Sequence, residues 1–139
     1  MKIRRFLVIP ALLAAAASAA VAGQVTPQPV VLDLVGRQAF GDMATARFSD
    51  NPFEFIGCGV RNVLLADGSV FRTGFCQAGI SATEFFTCFT EENELADRMS
   101  EGGDYSFITF AWDADGQCTR VGFSTQSFYI PQHVDKTKK

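Results

Sequence analysis

The alternation of apolar and polar positions along the chain predicts mostly short β-strands. Apolar and aromatic residues occur in short runs, and turn residues such as Asp67-Gly68 separate these runs. Phenylalanine, which suits strands and fills a small core efficiently, occurs 14 times. The predicted strands are residues 30–35, 44–48, 53–60, 69–80, 84–89, 105–112, 117–123 and 127–130.

One segment, residues 91–101, has the pattern of a helix instead. Thr90 is suited to cap its N-terminus, acidic residues fill its first turn, and Gly102 is a natural stop. Its apolar residues share one face: Leu95, Ala96 and Met99. The whole pattern predicts an α+β fold, predominantly antiparallel β-sheet, sandwich or barrel-like, with one short helix near 91–101. The order of elements is also compatible with an OB-like barrel.

The predicted helix carries a cluster of acidic residues with two interpretations. The cluster could bind a cation or a partner, or it could be the solvated face of an amphipathic helix. The second case is much the commoner, and we adopt it. The residues concerned are Glu91, Glu92, Glu94 and Asp97.

Residues 1–22 have the features of a cleaved secretory signal. A positive n-region precedes an apolar h-region at 6–17, and Ala20 and Ala22 offer small side chains for cleavage before Gly23. The alternative is a membrane anchor, but the apolar run is short, rich in alanine and followed by a polar segment. We therefore predict a secreted or periplasmic protein, and the alanine-rich signal is typical of a bacterial precursor.

Cleavage would leave a small acidic domain with a basic tail. Removing 22 of the 139 residues leaves 117, and loss of three positive charges takes the net charge from −3 to −6. Residues 23–131 are predicted to form a single domain, and residues 132–139 form a tail with three lysines. An acidic domain without a basic stripe argues against nucleic acid or an anionic membrane as a partner.

Four cysteines remain after the predicted cleavage, and an even count in a small exported domain indicates two disulfides. Three pairings are possible. We favour Cys58–Cys76, which folding about the Asp67-Gly68 turn would bring opposite each other, and hence Cys88–Cys118. The spacing contains no C-x-x-C, which argues against a redox pair or a zinc site.

The stretch Ala-Trp-Asp-Ala-Asp-Gly-Gln-Cys at 111–118 resembles both a calcium loop and a hairpin turn. An EF-hand loop needs Gly at its sixth position and Glu at its twelfth, and neither is present. Asp115-Gly116 fits the centre of a two-residue turn, with Trp112 opposite Gln117. We therefore predict a hairpin, in which Ile108, Phe110 and Val121 share one face.

The sequence offers little support for catalysis, and we predict that the protein is not an enzyme. His133 is the one histidine, next to the tail, and no G-x-S-x-G accompanies any serine. No phosphate loop, metal-ligand set or cofactor motif is evident. The alternative is a small secreted hydrolase, acting for example on cell-wall glycans through paired carboxylates.

The pattern "IGCGVR…C…CF…helix…YSFITFAWDADGQC…SFYIP" resembles small uncharacterised exported bacterial proteins over roughly residues 53–131. The resemblance implies export and disulfides, and it brings no activity or site residues. We therefore expect a non-enzymatic binding or envelope-associated module. The partner, protein or envelope component, is unknown. Tyr105, Phe128 and Tyr129 are the residues at which to look for an exposed patch, but burial in the core is the commoner case and the one we favour.

Overall fold

A computed structural model describes residues 23–131 of the chain. The predicted signal at 1–22, the tail at 132–139 and His133 lie outside these residues. Within the described part, no helix combines the length and the apolar character that a bilayer crossing needs.

Seven antiparallel strands form two separate sheets, which confirms the predicted α+β class with its predominantly antiparallel sheet. The arrangement is sandwich-like, and neither sheet closes into a barrel. One sheet has the order β1-β2-β6-β7, formed by β1 (Val31–Asp33), β2 (Gln38–Asp42), β6 (Phe107–Trp112) and β7 (Cys118–Ser124). The other has the order β3-β4-β5, formed by β3 (Phe55–Leu64), β4 (Val70–Gly79) and β5 (Phe85–Thr90).

The core lies between the two sheets, and a helix packs over one end of it. Alternate residues of β6, among them Ile108 and Phe110, are almost fully buried, and Trp112 stacks on Phe86 with ring centroids 4.2 Å apart. Helix α2 (Asn93–Met99) packs against β4 at Gly74. A Cβ atom at Gly74 would lie 2.6 Å from the Met99 Sδ, so glycine permits this close packing.

Both predicted disulfides are present. Cys58 and Cys76 lie directly opposite each other on β3 and β4, as the turn at Asp67-Gly68 requires. Cys88 on β5 is bonded to Cys118 on β7, so this bridge joins the two sheets covalently. Two disulfides are consistent with an oxidising compartment outside the cytoplasm.

The turn between β3 and β4 is formed as predicted. Gly68 has a φ of +84°, and Leu65 N–H donates to the Ser69 carbonyl at 2.8 Å. The Ser69 hydroxyl donates to the Asp67 carboxylate at 2.6 Å, and this hydrogen bond holds the pKa of Asp67 below its usual value.

Residues 44–48, predicted as a strand, instead belong to helix α1 (Met43–Phe48). Asp42 caps this helix, because its side chain accepts hydrogen bonds from the Thr45 N–H and hydroxyl, each at 2.6 Å. The prediction was wrong because a six-residue helix is too short to show helical periodicity. Strand β2, directly before it, was not predicted.

Two further elements differ from the prediction in position or type. Helix α2 begins at Asn93 rather than residue 91 and ends at Met99, with Ser100 as its C-cap. Thr90 does not cap it: Thr90 ends β5, and its hydroxyl accepts from the Glu92 N–H at 3.1 Å. Residues 127–130 form no strand, and Ser127–Tyr129 is a single 3₁₀ turn.

The β6–β7 hairpin is present, but its register differs from the prediction. Trp112 pairs with Cys118 rather than Gln117, and a bulge follows before Ala111 pairs with Arg120. The shift arises because Asp113 Oδ1 accepts from the N–H groups of Asp115 and Gln117, at 3.0 and 2.9 Å, which makes a longer loop. Phe110 and Val121 pair directly and so share a face as predicted.

Candidate functional site

The outer surface of the β3-β4-β5 sheet is the most unusual surface of the described chain. Alternate residues point to opposite faces of a strand, and the three cysteines Cys58, Cys76 and Cys88 occupy one row on the inner face. Their neighbours in sequence therefore point outward. We call these outward side chains the phenylalanine face: Phe55, Gly57, Gly59, Arg61, Val63, Phe71, Thr73, Phe75, Gln77, Gly79, Phe85, Thr87 and Phe89.

Four of the five phenylalanines on this face are substantially exposed. Phe85 and Phe89 on β5 are 57% and 50% exposed, and Phe71 and Phe55 are 40% and 39% exposed. Phe75, in the central strand, is half-buried. Single exposed apolar residues are ordinary on protein surfaces, whereas a continuous group of this kind marks an interaction surface.

The face has one formal charge, on Arg61, and no carboxylate at any of its strand positions. The Arg61 guanidinium lies over the Phe75 ring, 4.9 Å from its centroid, in cation–π contact. Among the described residues Arg61 forms no ion pair, whereas Arg72 pairs with Asp97 and Arg98 with Glu101. The positive charge of Arg61 is therefore available to a partner.

A shallow depression of about 280 Å³ lies at the centre of the face. Its walls combine two aromatic rings, one guanidinium and three polar side chains. The lining residues are Arg61, Thr73, Phe75, Gln77, Thr87 and Phe89.

Relief across the face is uneven, because the side chains differ in size from row to row. In one row across the sheet Gly59, Phe75 and Phe89 lie side by side, and in the next row Gly57, Gln77 and Thr87 do. A Cβ atom at Gly57 would contact nothing within 4 Å, whereas a Cβ atom at Gly59 would lie 3.3 Å from the Phe75 ring. The open space on the β3 side is therefore at Gly57.

Tyr105, Phe128 and Tyr129 do not form an exposed patch, in keeping with the favoured alternative of burial. All three side chains are half-buried. Tyr129 stacks on Phe107 with ring centroids 5.5 Å apart, and Phe128 contacts Tyr129 edge-on at 4.5 Å. These rings cover the end of the four-stranded sheet, and the exposed aromatic residues that belong to strands lie on the other sheet.

The hydrolase alternative requires two carboxylates that converge in a groove. Asp42 and Glu54 do line a common groove of about 380 Å³ beside α1. Their oxygens, however, already accept hydrogen bonds from the chain: Asp42 from the Gln28 N–H at 2.6 Å, and Glu54 from the Val30 N–H at 2.8 Å and the Ser49 hydroxyl at 2.5 Å. These carboxylates tie the N-terminal segment to the domain, and this geometry does not favour catalysis.

Other acidic residues also line grooves: Asp50 lines the groove of Asp42 and Glu54, and Glu92 and Glu94 line a second one. Within residues 23–131, no group of three or more histidine, cysteine, aspartate and glutamate side chains could hold a metal ion. Asp113, a member of the calcium-like stretch, uses one oxygen to accept two backbone N–H groups of its own turn. In the acidic helix segment, Asp97 binds Arg72, with N and O 2.6 Å apart.

No family model matches the chain, and neither the curated proteins nor the solved structures include one that is detectably similar. The phenylalanine face is therefore the feature of the molecule from which we infer a function.

Proposed function

We propose that the protein is an exported, non-enzymatic module that binds another protein molecule through the phenylalanine face. The observation that supports this proposal is the group of exposed phenylalanines around Arg61, which forms no ion pair with any described residue, on a sheet held by disulfides. The signal-like segment at 1–22 and the disulfides support export.

The composition of the face favours a protein as the partner. The buried centres of protein–protein interfaces are enriched in aromatic residues and arginine and depleted in lysine, aspartate and glutamate. The phenylalanine face has this composition, with polar Thr73, Gln77 and Thr87 among the rings. Residues 23–131 contain six arginines, no lysine and fourteen acidic residues, which disfavours nucleic acid or an anionic membrane.

Photo-crosslinking in an exporting host tests the proposal. A benzoylphenylalanine replaces Phe85 on the face or, as a matched control, Phe48 on helix α1, which is 61% exposed. We expect a light-dependent protein adduct of defined mass from position 85, reduced by Arg61→Glu, and none from position 48. Absence of an adduct from position 85, or the same adducts from both positions, would overturn the proposal.

A further inference from the structure

Strand β3 forms one edge of the three-stranded sheet, directly beside the phenylalanine face. We infer that an extended segment of a different protein, carrying an acidic residue, pairs with this edge and adds a fourth strand to the sheet. The inference rests on the proposed function, because it states how the partner of the phenylalanine face is held.

The hydrogen bond that closes the β3–β4 hairpin determines which backbone groups of β3 point away from β4. Leu65 N–H donates to the Ser69 carbonyl, and hydrogen-bonded and non-hydrogen-bonded pairs alternate from there along the ladder. The even-numbered residues of β3 therefore belong to non-hydrogen-bonded pairs. The Cα atoms of Cys58 and Cys76, one such pair, are 4.0 Å apart, which agrees with the shorter spacing of this pair type. The residues whose N–H and C=O groups point to the open side are Cys58, Val60, Asn62 and Leu64.

These four residues have free backbone groups on the open side. Within residues 23–131, no backbone group of another element forms a hydrogen bond with them. Strand β5 ends at Thr90, opposite Gly74, so the hairpin projects beyond the third strand, and residues 61–64 are exposed. A row of free N–H and C=O groups along a sheet edge is satisfied by an extended chain, which pairs with the edge as a further strand.

The other sheet edges of the described chain are protected from such pairing, and β3 is not. Strand β1 has three residues, and β5 is engaged by the Phe89 N–H, which donates to the Gly116 carbonyl at 3.2 Å. A bulge interrupts the pairing of β7, and helix α2 packs against this strand. Strand β3 has ten residues, contains neither proline nor lysine, and pairs with β4 in unbroken register. Short strands, bulges, lysine and proline are the usual protection of sheet edges, so the β3 edge is open to a partner strand.

The charge of Arg61 indicates the chemistry of the added strand. Arg61 lies between two of the residues with free backbone groups, and it forms no ion pair with any described residue. A residue directly opposite Arg61 on an added strand would lie close to it on the phenylalanine face, where a carboxylate is favoured. Strands β3, β5 and β7 contain no acidic residue, and β1, which ends in Asp33, is too short to pair with all four residues. A second copy of the chain therefore does not supply this carboxylate through its own edge strands.

Proline substitution in β3 tests the role of the backbone. Asn62→Pro removes an N–H that points away from β4, and proline is tolerated in an edge strand at such a position, so the hairpin should still form. Asn62→Ala is the matched control, because it removes the side chain and keeps the N–H. The readout is the protein adduct from benzoylphenylalanine at position 85 in the exporting host. We expect Asn62→Pro to reduce this adduct about tenfold and Asn62→Ala to leave it nearly unchanged.

A second pair of variants and a change at Arg61 make the test independent of one substitution. Leu64→Pro and Leu64→Ala repeat the comparison at the exposed end of β3, and both should behave like their counterparts at position 62. Arg61→Lys should keep most of the adduct, because it preserves the positive charge that faces the carboxylate. Urea unfolding followed by the fluorescence of Trp112 verifies that each variant is folded.

Amide hydrogen exchange of the purified adduct tests the inference in a chain with an unaltered β3. We expect the N–H groups of Val60, Asn62 and Leu64 to exchange about tenfold more slowly in the adduct than in the uncrosslinked protein, since each gains an acceptor. The N–H groups of Arg61 and Val63 are the internal controls. They already donate to β4, so their exchange should change less.

The outcomes separate this inference from the proposed function. Equal adduct yields from the proline and alanine variants, or unchanged exchange at the three N–H groups, would overturn the inference, while a protein adduct from position 85 would leave the proposed function standing. An adduct with twice the mass of the chain would identify a second copy and would also overturn the inference. Absence of any adduct from position 85 would overturn the proposed function and the inference together.

Discussion

At the scale of single residues, Asp42 organises the junction between β2, α1 and the segment before β1. It is 1% exposed, and its carboxylate accepts from two backbone N–H groups and one hydroxyl, all at 2.6 Å. Its own N–H donates to the Gln28 carbonyl at 2.9 Å. A buried carboxylate is tolerated here because its oxygens have hydrogen-bond partners.

Replacement of Asp42 by asparagine should destabilise the fold. The amide nitrogen of asparagine would face an N–H donor, and a buried mismatch of this kind costs about 2 kcal/mol of unfolding free energy. Urea unfolding followed by the fluorescence of buried Trp112 measures the loss. Asp50→Asn, at an exposed residue nearby, is the control and should change little. Equal stability of the two variants would contradict this account of Asp42.

The outward phenylalanines could have been located from the sequence through the cysteines. A disulfide that joins two sheets must lie between them, so the side chains adjacent in sequence to Cys58, Cys76 and Cys88 point away from the core. That rule places four residues on the outer face of the sheet: Gly57, Gly59, Phe75 and Phe89. Apolar character alone does not separate core phenylalanines from exposed ones, because it does not say which face of a strand is covered.

At the scale of elements, the two disulfides stabilise different parts of the fold. Cys58–Cys76 reinforces a hairpin that ten residue pairs already hold together. Cys88–Cys118 closes a longer segment, with a sequence separation of 30 against 18. It joins sheets that otherwise meet by packing and by an isolated bridge, in which the Phe89 N–H donates to the Gly116 carbonyl at 3.2 Å. Chain entropy assigns each bridge about 3–4 kcal/mol, more for the longer loop.

Removal of the bridge between the sheets should therefore be the more damaging change. The double variant Cys88→Ala/Cys118→Ala should lose more unfolding free energy than Cys58→Ala/Cys76→Ala, measured by urea denaturation of both proteins. Burial of Cys88 and Cys118 adds to the difference, because alanine leaves a cavity there. An equal loss, or the reverse order, would show that the hairpin bridge is the main covalent support.

The elements that the sequence predicted well are those with several independent signals. Strands β3 to β7 combine apolar runs, turn residues and cysteines, and helix α2 has a buried face formed by Ala96 and Met99. Helix α1 with its six residues and the 3₁₀ turn at Ser127–Tyr129 with its three are much shorter than the window of about 11 residues over which helical periodicity can be recognised. The register of β6–β7 depended on a side chain, Asp113, that accepts two backbone N–H groups, which periodicity does not reveal.

At the scale of the whole molecule, most described acidic residues lie on the helix segment and the loops, with Asp33 and Asp42 at strand ends, while the phenylalanine face has none at its strand positions. Such a distribution leaves this apolar surface free of negative charge, which favours its association with a partner. We therefore expect the phenylalanine face to be covered by protein in the compartment where the molecule functions.

Hydroxyl-radical footprinting with mass spectrometry tests that claim most directly. Oxidation of Phe85 and Phe89 is compared with that of Phe48 in the compartment where the protein resides, and again after purification and dilution. All three side chains are at least half-exposed in the isolated chain. We predict that Phe85 and Phe89 are protected in the compartment and oxidised after dilution, with Phe48 oxidised in both. Equal oxidation of Phe85, Phe89 and Phe48 under both conditions would contradict the account.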